Sequence, residues 1–270
     1  MSKSPLQKLN GLLKFKDEYS PGAGFGTAIP MLEDLILNEH IVPDEKQIQI
    51  SAVHPSDKKR IEPNTGEEST ETPEQINNNW KTCSSLAELN EMIKDCRKCR
   101  VLAGNRKNLV FGSGNPNADI AVVGEAPGAD EDEKGFPFVG RAGKLLTDIL
   151  AAINFSRDEV YICNILKCRP PENRNPLPDE IFNCEPYLDK QLEIIKPKLI
   201  LALGTFAAQT LLGTKEPLGK LRGRFHTYKN IKTMVTYHPA ALLRNPNWKR
   251  PAWEDVKLFR KEYDSISARQ

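Results

Sequence analysis

The sequence predicts an α/β fold: a three-layer α/β/α domain with a central four-stranded parallel sheet, preceded by an N-terminal extension. Three observations carry this. Short apolar runs rich in β-branched residues recur, each followed by a turn and then by residues at helical spacing. Strands alternating with helices imply a parallel sheet covered on both faces. The polar residues that break the pattern, Glu125, Asn164 and His238, each follow a different strand. A parallel sheet brings all three to one edge, where open α/β sheets take ligands.

Residues 1–80 read as an extension and linker, partly disordered, and residues 81–270 as the folded domain. Leu6, Leu9, Leu12 and Leu13 allow one short amphipathic helix, and Met31 to Leu37 another. Residues 54–79 are rich in Pro, Ser, Thr, Asn and Glu and almost lack apolar side chains, so they cannot bury a core. Order resumes near Trp80. Ser85-Leu-Ala-Glu88 is a capping box opening a helix that ends in Asp95-Cys96-Arg-Lys-Cys99. Residues 110–116 read as a turn-rich approach to the first strand, Ile120 to Val123. Gly124, Pro127 and Gly128 end that strand in a tight loop carrying carboxylates, and helical spacing begins at Gly143. The second strand is Val160 to Asn164, followed by a proline-rich loop and a helix from Pro178 to about Ile195. Leu199 to Leu203 is the third strand, with a helix over 204–212. Lys232 to Tyr237 is the fourth, and a helix from Trp248 to about Tyr263 closes the chain.

Hydrophobic residues make up 39% of the 270, with three Trp and ten Phe, enough for a sizeable core. No apolar run reaches membrane length and the N-terminus lacks a signal-like apolar stretch, so a cytoplasmic protein without a membrane partner is expected. The net charge of +2 splits unevenly. Residues 1–80 hold 8 basic and 13 acidic side chains, net −5, and the remainder 30 and 23, net +7. A basic body suits a polyanionic partner.

Six cysteines without export signals point to metal ligation or buried thiols rather than disulfides. Cys96-x-x-Cys99, Cys168 and Cys184 allow one four-thiolate site, and their spacing leaves zinc and an iron–sulfur cluster equally open. Cys163, inside an apolar strand, and Cys83 read as free thiols.

The stretch from Gly124 to Leu146 lacks the dinucleotide fingerprint. Its Gly124-Glu-Ala-Pro-Gly128, acidic run and Pro137-Phe-Val-Gly140 closely resemble the first motif of the family 4, iron–sulfur uracil-DNA glycosylases. Asn164-Ile-Leu-Lys-Cys-Arg-Pro-Pro171, Leu201-Ala-Leu-Gly204, His238-Pro-Ala-Ala-Leu-Leu-Arg-Asn-Pro246 and Trp253-Glu-Asp255 extend the resemblance over about residues 80–270.

The resemblance implies a monofunctional enzyme that hydrolyses the bond between uracil N1 and deoxyribose C1′ in DNA, after flipping the nucleotide out of the stack. Phe138 would stack on the base and Asn164 read its polar edge, with Gly124 and Ala126 completing the base-binding turn. His238 would donate to uracil O2 as negative charge develops there. Asn173 is the candidate for positioning water, with Glu125 and Glu131 beside it and Glu131 near uracil C5. Ala126 stands where other single-domain uracil-DNA glycosylases carry Asp. Leu243 and Arg244 would enter the minor groove, and Lys220, Arg222, Arg224, Lys229, Lys249 and Arg250 would meet phosphates. Cys96, Cys99, Cys168 and Cys184 would ligate a [4Fe–4S] cluster with a structural role. The implied partner is uracil-containing DNA, single- or double-stranded, met by a monomer associated with the nucleoid. One alternative is a relative with altered base specificity or uracil-DNA binding without turnover. Another is an iron–sulfur electron carrier, which leaves Glu125, Asn164 and His238 unexplained.

Overall fold

The structure is a computed structural model, and residues 78–269 are described. The two helices expected near residues 6–13 and 31–37, and all but the last two residues of the linker expected at 54–79, lie outside the described residues; those two, Asn78 and Asn79, instead begin a 3-10 turn, Asn78–Thr82. Most of the proposed boundary at residue 80 also lies outside them, although Trp80 is already buried against Tyr187.

The helices are α1 (Leu86–Ile93), α2 (Arg100–Asn105), α3 (Ala129–Lys134), α4 (Arg141–Ala152), α5 (Pro178–Ile195), α6 (Gly204–Leu212), α7 (Leu218–Leu221), α8 (Pro239–Arg244) and α9 (Lys249–Ser267). The strands are β1 (Ser113–Gly114), β2 (Ile120–Gly124), β3 (Tyr161–Asn164), β4 (Leu199–Leu203), β5 (Phe225–Tyr228) and β6 (Ile231–Thr236). They form one sheet in the order β1-β3-β2-β4-β6-β5. The inner four, β3-β2-β4-β6, are parallel, as expected.

Two antiparallel edge strands, β1 and β5, extend that sheet to six and were not anticipated. The two residues of β1 are too few to show alternation. The β5–β6 hairpin closes through Lys229 and Asn230, both with positive φ, as a two-residue hairpin loop requires. Lys-Asn is a far weaker signal than Asn-Gly. A further departure concerns the acidic run after β2. Expected as loop, it forms α3, ended by Gly135 in the left-handed conformation.

Every residue of β2, β3 and β4 is buried. Alternation along each strand feeds two cores. Ala121, Val123, Ile200 and Ala202 face α1, α5 and α6, while Ile120, Val122, Leu199 and Leu201 face α4 and α9. The capping signals hold: Ser85 Oγ accepts from the Glu88 N–H at 3.2 Å, and Glu180 accepts from the Leu177 N–H at 2.9 Å at the start of α5. Among the described residues no helix is long and apolar enough to cross a membrane.

The chain leaves β2 towards β3 on one side and later leaves β4 towards β6 on the other, so a crevice opens outside the carboxyl ends of β2 and β4. A buried ion pair secures one flank. Arg222 donates to both carboxylate oxygens of Asp255, at 3.0 and 2.7 Å, and the Thr236 hydroxyl donates to Asp255 at 2.7 Å. Arg222, expected among the phosphate contacts, is thereby committed internally, and its guanidinium also lies against Tyr237. Removing one member of such a pair strands the other. Asp255→Ala is expected to lower the unfolding free energy by about 3 kcal/mol in urea melts, more than the Asp255→Asn variant does.

Candidate active site

A cavity of about 350 Å³ occupies the crevice. Glu125 and Ala126 enter it after β2, Asn164 at the end of β3 and His238 just past β6, with Glu131, Phe138, Asn173 and Arg244 completing the wall. Of the residues singled out from sequence, Gly124 lies beneath the cavity rather than in its wall, and Leu243 is half-buried on α8 and does not line it.

Gly124 is required by close approach. A Cβ there would lie 2.3 Å from Asn164 Oδ1 and 2.6 Å from the Phe138 ring. Asn164 is itself held through its main chain. The buried Lys167 ammonium donates to the Asn164 carbonyl at 2.8 Å and to Gln191 at 2.5 Å. The side-chain oxygen of Asn164 is buried and has no hydrogen-bond partner. Such an acceptor costs about 1–3 kcal/mol unless a ligand supplies a donor.

His238 caps α8. Its Nδ1 accepts the Ala240 N–H at 3.2 Å, so Nδ1 carries no proton and the ring's N–H is at Nε2. Although part of the ring opens to the cavity, desolvation, reinforced by the Arg244 cation, lowers its pKa from 6.5 to about 4. His238 is therefore a neutral donor at physiological pH. The Phe138 ring sits 5.4 Å from it, tilted by 32°. A flat face, an unsatisfied acceptor and a neutral N–H donor thus converge on one small cavity.

Residues 111–257 match the uracil DNA glycosylase superfamily. Type-4 uracil-DNA glycosylases from Archaeoglobus fulgidus and Thermotoga maritima are 45% and 44% identical to the chain over 181 residues each. Those alignments span 64% and 65% of this chain and 90% and 94% of the relatives. The enzyme of the same name from Sulfurisphaera tokodaii is 45% identical over 185 residues, 65% of this chain and 84% of its own.

The chain belongs to the type-4 family of that superfamily.

Within this glycosylase fold the carboxylates divide by environment. Glu131 is neither a solvated member of an acidic run nor free in the cavity. Its oxygens accept the N–H groups of Gly128 at 3.1 Å, Val139 at 2.9 Å and Gly140 at 3.0 Å. Asp132 is buried, accepting from the Lys107 and Asn108 main chain at 2.9 and 3.3 Å. Helix α3 explains both, because it turns these side chains back onto the loops. The Glu125 carboxylate has no hydrogen-bond or ion-pair partner among the described residues, while its main-chain carbonyl accepts from the Leu166 N–H at 3.0 Å. Burial raises its pKa, with Arg244 opposing. The Asn173 oxygen accepts from Arg169 Nε at 2.8 Å, so its amide N–H₂ is the end left for the cavity.

Sequence reasoning missed Arg157, which lies outside every motif. Phe138 has φ of 53°, a left-handed conformation that costs an aromatic residue energy. Arg157 holds it there by donating to the Pro137 carbonyl at 2.9 Å, the Phe138 carbonyl at 3.0 Å and the Thr147 hydroxyl at 3.3 Å. Glu131 grips the two residues that follow. Gly143 permits the same approach, since a Cβ there would fall 1.9 Å from the Phe138 oxygen. Only an unusual φ at a non-glycine position reveals this requirement, and sequence does not print φ.

The four candidate ligand cysteines share one neighbourhood. Cys96 and Cys168 both raise the pKa of Cys99, to about 11, and of Cys184, to about 12, after the larger effect of burial. Each sulfur meets a donor. Tyr187 OH lies 3.4 Å from Cys96, Arg106 Nη1 2.9 Å from Cys168 and the Lys167 N–H 3.3 Å from Cys184, while the Asn183 side chain bonds Cys99. Among the described residues no three His, Cys, Asp or Glu side chains close on a single ion. Cys163 has burial and no such donor, and Cys83 contacts only the Met92 sulfur.

Two outcomes are expected. Arg157→Met should cost about 2 kcal/mol in denaturant melts and abolish the ring-current shift of Phe138 on His238. In NMR titration the His238 ring should stay neutral, protonated at Nε2, until pH nears 4. The sign follows: below 6.5 the unfolded chain takes a proton that the folded ring refuses, so stability falls as pH drops from 6.5 to about 4 and is unaffected above 6.5.

Proposed function

We propose that this protein excises uracil from DNA by hydrolysing the bond between uracil N1 and deoxyribose C1′, and that residues 81–270 form the catalytic unit. The observation that carries the reading is that Asn164, whose buried side-chain oxygen has no partner, lines the same cavity as the Phe138 ring and the neutral His238. An acceptor fixed beside a stacking face suits the N3–H of uracil, and the amide N–H₂ of the same side chain suits O4. Cytosine presents the reverse polarity and leaves the buried acceptor unpaired, which is the strong form of discrimination. The relatives' name, uracil-DNA glycosylase, agrees.

In this reading the target nucleotide is flipped into the cavity, where Phe138 covers the base. The His238 Nε2–H donates to uracil O2. Its worth rises as the glycosidic bond lengthens and negative charge collects on the departing base. Neutral at physiological pH, the ring keeps its single N–H at Nε2 for this contact. Water is held by Glu125, the one desolvated carboxylate in the cavity left free, and by the Asn173 N–H₂. Neither need be a strong base, since the sugar already carries oxocarbenium character when water attacks. Glu131 acts by holding the Phe138 loop. Arg244, in the cavity wall, and Leu243, beside it on α8, would contact the DNA strand.

Cys96, Cys99, Cys168 and Cys184 would hold a [4Fe–4S] cluster, a reading supported by the donor that meets each sulfur. Held by these residues, such a cluster would cross-link the turn after α1 to the loop after β3, which carries Asn173. Cys168→Ser is expected to lose the visible absorbance of the cluster and folding stability together. Loss of activity with both intact would contradict a structural role.

The deciding test is a single-turnover assay on duplexes containing U·G, U·A, T·G or hypoxanthine, with His238→Ala alongside. Abasic product is expected from the uracil duplexes alone and falls about a hundredfold or more in the variant, the scale of removing one oxyanion donor. Tight uracil-DNA binding by the wild type without product would instead make the protein a reader of uracil. As Glu125 has a raised pKa, the acid limb of kcat/KM should lie above the ordinary carboxylate value of 4.5 and vanish in Glu125→Gln.

A further inference from the structure

A second concavity, of about 320 Å³, opens beside α2 and is lined by Asp95, Arg97, Arg100, Ala103, Gly104 and Arg106. Three guanidiniums and one carboxylate leave it with net positive charge. Arg97 and Arg100 are exposed and have no ion pair or hydrogen bond among the described residues. Arg106 is fixed, donating to Cys168 Sγ at 2.9 Å and to the Lys94 carbonyl at 3.3 Å. The neighbouring Lys98 is turned away, its ammonium lying over the Tyr187 and Trp80 rings at 4.5 and 5.2 Å. The cations left facing the concavity are therefore all arginines, whose planar forks suit bidentate contact with phosphate.

A chain of contacts joins this concavity to the active cavity. The Asn105 amide, adjacent to Arg106, donates to the Arg169 carbonyl at 3.2 Å, and Arg169 Nε donates to Asn173, which lines the active cavity beside Arg174. The two openings are thus linked through the residues between them, with Arg97, Arg100 and Arg106 lining one and Arg174, ion-paired with Glu180, lining the other. The active cavity has room for one nucleotide, so the strand that delivers it must leave over its rim.

We infer that the pocket of Arg97, Arg100 and Arg106 binds a backbone phosphate of the DNA strand beyond the flipped nucleotide, on the side of the cavity formed by Asn173 and Arg174. This rests on the proposed function. It adds a phosphate site on the cysteine-bearing face, separate from the contacts expected from α8 and from Arg224 and Arg250. Its role is to hold the strand in register and not to touch the reacting atoms.

The test compares the full-length, cluster-loaded wild type with Arg97→Ala/Arg100→Ala. Both side chains are exposed and unpartnered, so thermal melts and cluster absorbance should be unchanged. The probe is a fluorescein-labelled duplex of three helical turns carrying 2′-fluorodeoxyuridine opposite guanine, which resists hydrolysis and so reports binding whether or not turnover occurs. The double variant is expected to raise Kd about tenfold and to make the dependence of log Kd on log salt shallower by about one unit, the signature of one lost phosphate. Arg97→Lys/Arg100→Lys should recover the salt slope. On a uracil trinucleotide, too short to reach the pocket, the Ala variant and the wild type should have equal kcat/KM. Unchanged Kd and slope on the duplex would overturn the site. So would tighter binding by the Ala variant, which would mean that the pocket serves an acidic segment of the protein itself. If the wild type binds the duplex but releases no uracil from any substrate, the glycosylase reading fails while the slope comparison still decides this one.

Discussion

The structure turns on the missing side chain at Gly124. That residue ends β2 opposite Asn164 at the end of β3, and any Cβ would strike both Asn164 and Phe138. The parallel register brings two carboxyl ends together, but the close approach makes a pocket of them. With Gly124 flat, the carboxamide and the ring can close over the same point from two sides. Everything else in the site serves that closure. Lys167 fixes the Asn164 main chain from below, and Arg157 with Glu131 holds the Phe138 loop in a conformation it would not keep alone.

The electrostatic design follows from the same closure. A cavity walled by packed side chains desolvates what faces it, so His238 stays neutral and the Glu125 carboxyl is made less acidic. Arg244 works in opposite senses on the two, favouring the neutral imidazole and the ionised carboxylate. That is the pairing needed when one group must donate to a departing anion and the other must attract water towards a cationic sugar. In the proposed reaction the chemistry is then a matter of placement in a desolvated site rather than of strong acids and bases.

Much of this was legible in the residues. The four parallel strands came from apolar runs, and the convergence of Glu125, Asn164 and His238 followed from the rule that parallel strands share an edge. The caps at Ser85 and Pro178 were local signals and held. What was not legible depended on packing or dihedrals. The acidic run after β2 read as a loop carrying carboxylates, with Glu131 near the base by resemblance. Instead α3 buries Asp132 and turns both Glu131 and Asp132 onto main-chain N–H groups. Arg222 looked like a phosphate contact by charge alone, and only the buried Asp255 shows otherwise. Arg157 carries no motif, and its need arises from a backbone angle at a residue far from it in sequence.

The cysteine face bears on the active site through one loop. The segment from Lys167 to Arg174 begins on the buried lysine that fixes Asn164, passes through Cys168 and ends with Asn173 and Arg174 in the cavity wall. Within it Glu172 and Asn173 both have positive φ, so the loop cannot hold its course by local preference. Its anchors are lateral: Arg106 and the cysteine neighbourhood at one end, the Arg174–Glu180 ion pair at the other. Residue by residue, this segment ties the cysteine face to a loop with two positive-φ residues in the cavity wall, the arrangement that a structural role for the cysteines would use.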